Sequence, residues 1–479
     1  MIKRYKATKD NTITNAFDAT LVNRGTGSNM GRADILEVFS IYGQTSGSVG
    51  LSSEKTRILI EFDIDSLSDD RDAGIVPSGA NYYLKLYNAR HSQTLPEGFT
   101  LEVSAVSASW EEGLGLDMEG YTDLTYDVRG SNWIRRTGST SWDSQGGDYH
   151  ASPLFTASFD IGTEDMEVDV TTLVNQWLDS TKENYGFGIA LSSSLENSDR
   201  SYYTKKFFAR SSHQFFDRPV LEARWDDSKQ DDRGSFYASS SLAPAADNQN
   251  TLFLYNYSRG RLADIPAIIS QDSPEIYVSL YETLGGAALT LCDSTTVATG
   301  SRTSTGIYSC DICVQTTAST LYDVWFYGSD QFHTGTLDVK SLSSNEYVDT
   351  GKYVFSVSNR NQSYYHDQTH RIRLYARNKD WSPNIYTTAT SVPPSLTFES
   401  ASYQIFRVVD DRVIIPYDTG SSQATRLSYD VSGNYFDVDM SILEPNYTYG
   451  LKVSVYDPDT QSYEEQPFTY KFRVVNNVY

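Results

Sequence analysis

Residues 109–133, SWEEGLGLDMEGYTDLTYDVRGSNW, concentrate groups that could do chemistry: six carboxylates, four glycines and two tryptophans between two strand-like apolar runs. Asp117, Glu119 and Asp123, with carbonyls from a glycine-rich turn, could offer oxygen ligands to Ca²⁺, a hard cation that takes about six to eight of them. The spacing is not that of the twelve-residue calcium loop. The competing reading is architectural: Trp110 plugs the edge of a core, the glycines permit positive φ, and the carboxylates are solvated or accept backbone N–H groups. Architecture has the better case, with Trp110, Trp133 and Trp142 expected as buried anchors and no metal site assigned.

The remaining candidates are weaker. Glycoside hydrolysis requires two carboxylates about 5–10 Å apart across a cleft. Among 62 acidic residues, neighbours such as Glu111 and Glu112 or Asp410 and Asp411 are expected to be solvated surface groups. His366 and His370 lie four apart in HDQTH, a zinc spacing on a helix, but the following RIRLYARN alternates like a strand and no HExxH glutamate is present. In CDIC, Cys310 and Cys313 sit on a strand-like run, where positions three apart face opposite ways and do not chelate one ion. Buried packing suits these cysteines, and Cys292 could instead pair with either of them. No serine-nucleophile motif, phosphate loop or dinucleotide fingerprint stands in a suitable context. No catalytic residue, cofactor or metal ligand is therefore assigned, and the chain is expected not to be an enzyme.

The elements that would position such groups are strands. Alternation of period two recurs in TRILIEFDID, TLEVSAVS, YGFGIALS, EIYVSLYE, LYDVWFYG and YTYGLKVSVYD, with Gly, Asn, Asp and Ser clusters between. In the first, Ile58, Ile60, Phe62 and Ile64 are expected on the buried face of a strand wetted on its other side. The 35 tyrosines and 21 phenylalanines fit pleated, half-buried surfaces. One segment has helical spacing: Val170, Leu173, Val174, Trp177 and Leu178, with Asp169 as N-cap and Trp177 as the anchor on a sheet. The fold class is all-β, with one short helix.

At 479 residues the chain exceeds one core. Composition breaks divide it into a β-sandwich at 1–228, a charged and Ser-rich linker at 229–243, a second sandwich at 244–343 and a C-terminal sandwich at 344–479, the last two expected to be immunoglobulin-like. Pro393 and Pro394 mark a loop inside the last. A net charge of −23 and a pI near 4.6 argue against a nucleic-acid partner. Three cysteines imply no disulfide framework and suit assembly in a reducing compartment. No run reaches bilayer-spanning length, and the start MIKRYKATKDNTITNAF lacks the apolar run of a secretion signal.

The order RILIEFDIDSL, YYLKLYNAR, LEVSAVSASWEEG, VDVTTLVNQWL, NYGFGIALS and RPVLEARW resembles the DNRLRE-type jelly-roll module of secreted polysaccharide-active proteins and carbohydrate-binding families, over roughly residues 5–226. What that implies is a fold, because the family shares no catalytic residue. The segments GLGLDMEGYTD, SYYTKKFFARSS, RPVLEARWDDS, RLADIP, STGIYS, KDWSPNIYT and LSYDVSGNYFDVDMSILEP together resemble a family of virion structural proteins of marine tailed bacteriophages, especially contractile-tailed cyanophage-like ones. This likeness runs over nearly the whole chain. It implies a component of the particle at the neck, tail, fibre attachment or capsid surface, assembled in the host cytoplasm as a symmetric oligomer with other virion proteins. The alternative is a carbohydrate-binding adhesin module for host polysaccharide, using exposed aromatics on a sheet face or around Tyr121, Tyr126 and Trp133.

Overall fold

A computed structural model describes residues 1–17, 22–42, 53–90, 97–116, 130–241, 243–270, 274–341, 353–381, 395–458 and 460–477. The chain is all-β and divides into two compact units, Ile2–Trp225 and, with Met1, Asp226–Tyr479.

The first unit contains β1 (Ile2–Thr14), β2 (Ile35–Tyr42), β3 (Ser53–Phe62), β4 (Asn81–Leu86), β5 (Phe99–Val106), β6 (Tyr149–Phe159), β7 (Met166–Asp169), β8 (Phe187–Leu191), β9 (Tyr202–Phe208) and β10 (Val220–Arg224). Their pairing order is β6-β5-β8-β3-β1-β10-β4-β7, with β2 joined to β3 and β9. β1 serves two neighbours: Ile2–Lys6 pairs with β10, and after a bulge between Ala7 and Lys9 the rest pairs with β3. Such an irregularity lets one strand pass from one layer to another.

Ile58, Ile60 and Phe62 of β3 are buried as the alternation predicts, but Leu59 on the opposite face is buried as well. Its cover is a second cluster of Ile13, Leu59, Val106, Trp110, Trp133 and Trp142. The tryptophan-bearing excursion thus lies over a sheet face expected to be wet. Ile64 does not continue the strand. It opens a helix, α1 (Ile64–Asp72), capped by Asp63, whose carboxylate accepts the N–H groups of Asp65 and Ser66.

The expected helix is α2 (Thr171–Leu178), with Leu173, Val174 and Trp177 buried and the Trp177 ring edge-on to Phe187 at 4.8 Å. Val170 is its N-cap by backbone geometry, yet Asp169 still accepts from Thr171 N and Oγ1.

The second unit begins with a seven-stranded sheet in the order Phe236–Ala238, Asp330–Ser341, Thr320–Tyr327, Glu275–Tyr281, Ala298–Ser304, Ile307–Ile312 and Asn250–Tyr255. Within 229–243, expected to be a linker, Phe236–Ala238 forms the edge strand of this sheet. Phe236 is fully buried, its strand pairs in parallel with Asp330–Ser341, and Arg233 clamps Asp323 with two bonds of 2.7 Å. The C-terminal part stacks a four-stranded sheet, containing Thr369–Asn378 and Gly433–Asp439, with a six-stranded one, containing Ala401–Arg407 and Thr448–Asp457; Tyr403 of one lies flat on Phe436 of the other at 3.9 Å. Among the described residues, no helix is long and apolar enough to cross a membrane.

Candidate functional site

The acidic excursion is organised by an amide. Asn29, 1% exposed, donates from Nδ2 to the carbonyls of Glu112 and Ser131, and its Oδ1 accepts from the N–H groups of Gly31 and Gly115. A Cβ on Gly113 or Gly130, both at positive φ, would stand 2.3 or 2.6 Å from the Asn29 amide, and one on Gly115 would meet the Asn29 carbonyl at 2.0 Å. These glycines form a mould around one side chain. Asn11 adds a second tie, donating to Ser131 O and Oγ while accepting from Met30 N. Trp110, Trp133 and Trp142 are 3%, 5% and 5% exposed, and the indole N–H groups of Trp110 and Trp142 donate to the carbonyls of Tyr185 and Asn132. Both ends of the excursion are therefore architecture. Asp117, Glu119, Asp123, Tyr121 and Tyr126 lie outside the described residues, and Trp133 belongs to the core, so it supplies no exposed sugar platform.

The charged groups of this unit serve as ties between strands. Glu112, expected to be solvated, is clamped by the Arg210 guanidinium and accepts Asp10 N; Glu111 is exposed and accepts Gly138 N. Glu222, 1% exposed, accepts from Arg4 and Arg224 at 2.6 Å each. Burial alone would raise its pKa, but Arg4, Lys85 and Arg224 outweigh that and hold it at about 2. Asp10 lacks a cation of its own: it sits opposite Ile60, its Oδ2 accepts Arg210 N, and its Oδ1 is buried without a partner. Burial, reinforced by Glu112, pushes it up to about 7. Lys205, 1% exposed, donates to Asn88 Oδ1 and to the carbonyls of Gly162 and Glu164, and burial lowers it to about 8. Arg57, its carboxylate partner Glu196 and Tyr149 border a hollow of about 140 Å³, where the guanidinium and the carboxylate are already bonded to each other.

The histidine and cysteine candidates do not make a metal site. His370 is on the strand Thr369–Asn378, stacks obliquely on Tyr364 at 5.0 Å and is lowered in pKa by burial; His366 precedes that strand, so the pair has no helical frame. Among the described residues, no cluster of three or more His, Cys, Asp or Glu could hold a metal. Cys310 points into the core as a free thiol pushed up to about 12 by burial, while Cys313 on the opposite side forms a disulfide with Cys292 across a Cα separation of 5.4 Å. The choice left open between the two partners thus falls to Cys313, and the expectation of reduced cysteines is corrected for one pair. Asp410 is tied to Arg407, and Asp411, at φ 53°, occupies a turn.

The second unit holds a feature that pattern reading missed, a cleft of about 640 Å³. Tyr237, Lys340, Arg377, Asn378 and Trp381 help line it. Its walls are joined beside Tyr429, whose N–H donates to Lys229 O, whose carbonyl accepts Asp231 N and whose hydroxyl donates to Asp232. Two carboxylates belong to the wall. Asp430 is held by Arg373 at 2.8 Å, and Asp231 is buried, which raises it to about 6 despite Arg233. Two cations belong to it as well. Arg377 Nη1 reaches the carbonyls of Asn378 and Lys379, Lys340 lies 5.9 Å from the Tyr237 ring centre, and among the described residues neither is paired with a carboxylate. The clue in the sequence was RIRLYARNKDW, a basic alternation running into a tryptophan.

No protein-family model matches the chain, and no curated protein matches it. Solved structures give faint likenesses. A marsupial T cell receptor shows 9% identity, covering 50% of this chain and 70% of the other, at a TM-score of 0.16. The Yersinia pseudotuberculosis adhesin InvE shows 11% identity, covering 50% and 56%, at 0.16. The N-terminal Ig1-2 module of the Drosophila receptor protein tyrosine phosphatase DLAR shows 8% identity, covering 48% and 91%, at 0.15. At these values none bears on function.

Proposed function

We propose that this protein is a non-enzymatic structural component of a tailed bacteriophage particle, acting through protein–protein contacts. The observation that favours a scaffold is the use of buried charges: Glu222, Glu196 and Asp323 are each spent on arginines that tie segments together. A carboxylate clamped in this way stiffens a sheet and is not poised for proton transfer. The likeness of segments along nearly the whole chain to virion structural proteins supplies the context. Stiff sandwich modules suit an assembly in which repeated copies meet through fixed surfaces. β6 offers such a surface: it pairs only with β5 among the described strands, and Ala151, Ser152, Leu154, Thr156 and Ser158 along it are exposed. An unpaired strand edge of this length is available for strand addition.

The test is composition of the particle. Gradient-purified virions are digested and their peptides quantified against the major capsid protein. The proposal expects peptides from this chain at a fixed ratio in every infectious fraction. Peptides found only in lysate and absent from banded virions would overturn it.

A further inference from the structure

We infer that the cleft of the second unit binds an acidic saccharide, a sugar unit carrying carboxylate or sulfate groups. This inference does not depend on where the protein resides. Its first ground is charge. In a chain of net charge −23, Arg233, Arg302, Arg371, Arg373 and Arg407 of this unit are each bound by a carboxylate; of the cations without one among the described residues, which include Arg259, Arg261, Arg360 and Arg473, Lys340 and Arg377 are the two that line a concave wall together. A cation kept free in so acidic a protein is available to an outside anion, and a guanidinium matches the two oxygens of a carboxylate or sulfate.

The second ground is the aromatic surface. Trp381 is half-buried in the same wall, and among the described residues its ring contacts no other aromatic and it hydrogen-bonds only through its backbone. A flat indole beside cations and amides suits a pyranose, which presents an apolar C–H face and a rim of hydroxyls. The volume of about 640 Å³ lies within the roughly 300–1,000 Å³ of small-molecule sites. The ties around Tyr429 hold the walls before any ligand arrives, which reduces the ordering cost of binding.

The whole chain is titrated calorimetrically, at low salt, with tetragalacturonate, a sulfated carrageenan tetrasaccharide, neutral maltotetraose and sodium sulfate. We expect at least one of the two acidic oligosaccharides to bind at least tenfold more tightly than maltotetraose and than sulfate. Which of the two binds identifies the acid group. The double variant Lys340→Gln/Arg377→Gln and the single variant Trp381→Ala should each weaken that binding at least tenfold with an unchanged far-UV spectrum. The inference is overturned if neither acidic sugar binds, if maltotetraose or sulfate binds as tightly, or if the charge variant binds like the unaltered protein.

Discussion

The buried ionic ties of the first unit and the cleft of the second use the same residue types to opposite ends. Around Glu222 the arginines and the carboxylate complete one another, and the product is rigidity. In the cleft, Lys340 and Arg377 have no carboxylate partner among the described residues. Charge closed on itself holds this protein together, and charge left open marks where something else can attach.

The largest expected effect breaks a closed tie. Glu222→Gln removes the carboxylate that Arg4 and Arg224 share, leaving Arg224 only its weaker tie to the half-exposed Glu167, and should destabilise the first unit by about 3–5 kcal/mol. Urea melts followed by tryptophan fluorescence report chiefly this unit, which holds five of the seven tryptophans. The same tie sets an acid limit. Because its folded pKa is depressed, the contribution of Glu222 is complete above the unfolded value near 4.5 and is lost as pH falls toward 2, so the variant should be less sensitive across that window.

Asn29→Ala comes next. It empties the glycine mould and leaves the Glu112 carbonyl and the N–H groups of Gly31 and Gly115 without this partner, while the Ser131 carbonyl keeps Asn11, a loss of roughly 2–4 kcal/mol in the same melts. Asp10→Asn sharpens the comparison in the other direction, since Asp10 is the acid of this region without its own cation. With a folded pKa raised to about 7, its contribution is fully present below about pH 4 and fades as pH rises toward 7. Relative to the unaltered protein, the variant should therefore gain stability between pH 4 and pH 8, by about 1.4 kcal/mol for each unit by which the folded pKa exceeds the unfolded one. The smallest effect belongs to the cleft: Lys340→Gln/Arg377→Gln should shift stability by no more than about 0.5 kcal/mol, because among the described residues no carboxylate loses an ion partner and Arg377 gives up only bonds to the carbonyls of its neighbours Asn378 and Lys379.

Much of the architecture was legible, because burial imposes a period. The all-β class, the helix anchored by Trp177 and the buried state of Trp110, Trp133 and Trp142 follow from spacing and side-chain size. Three features were not. Leu59 looked like part of a wetted face because its cover arrives from tryptophans far along the chain, and α1 was hidden because Ile64 kept the strand period for one residue past its cap at Asp63. The stretch 229–243 looked like a linker by composition, yet a single residue, Phe236, commits it to a core. The cleft was invisible for a related reason: Lys340 and Arg377 are ordinary surface cations in sequence, and only tertiary pairing reveals which cations have been answered.

Amide hydrogen exchange on the whole chain, with and without the acidic tetrasaccharide that binds, tests the contrast between closed and open charge most directly. The account predicts that segments 110–116 and 130–135 exchange as slowly as the core strands β1 and β3 although they are loops, and are unaffected by ligand. It further predicts that segment 375–381 exchanges faster and becomes protected when the sugar is added. Rapid exchange throughout 110–116 and 130–135, together with no change at 375–381, would contradict it.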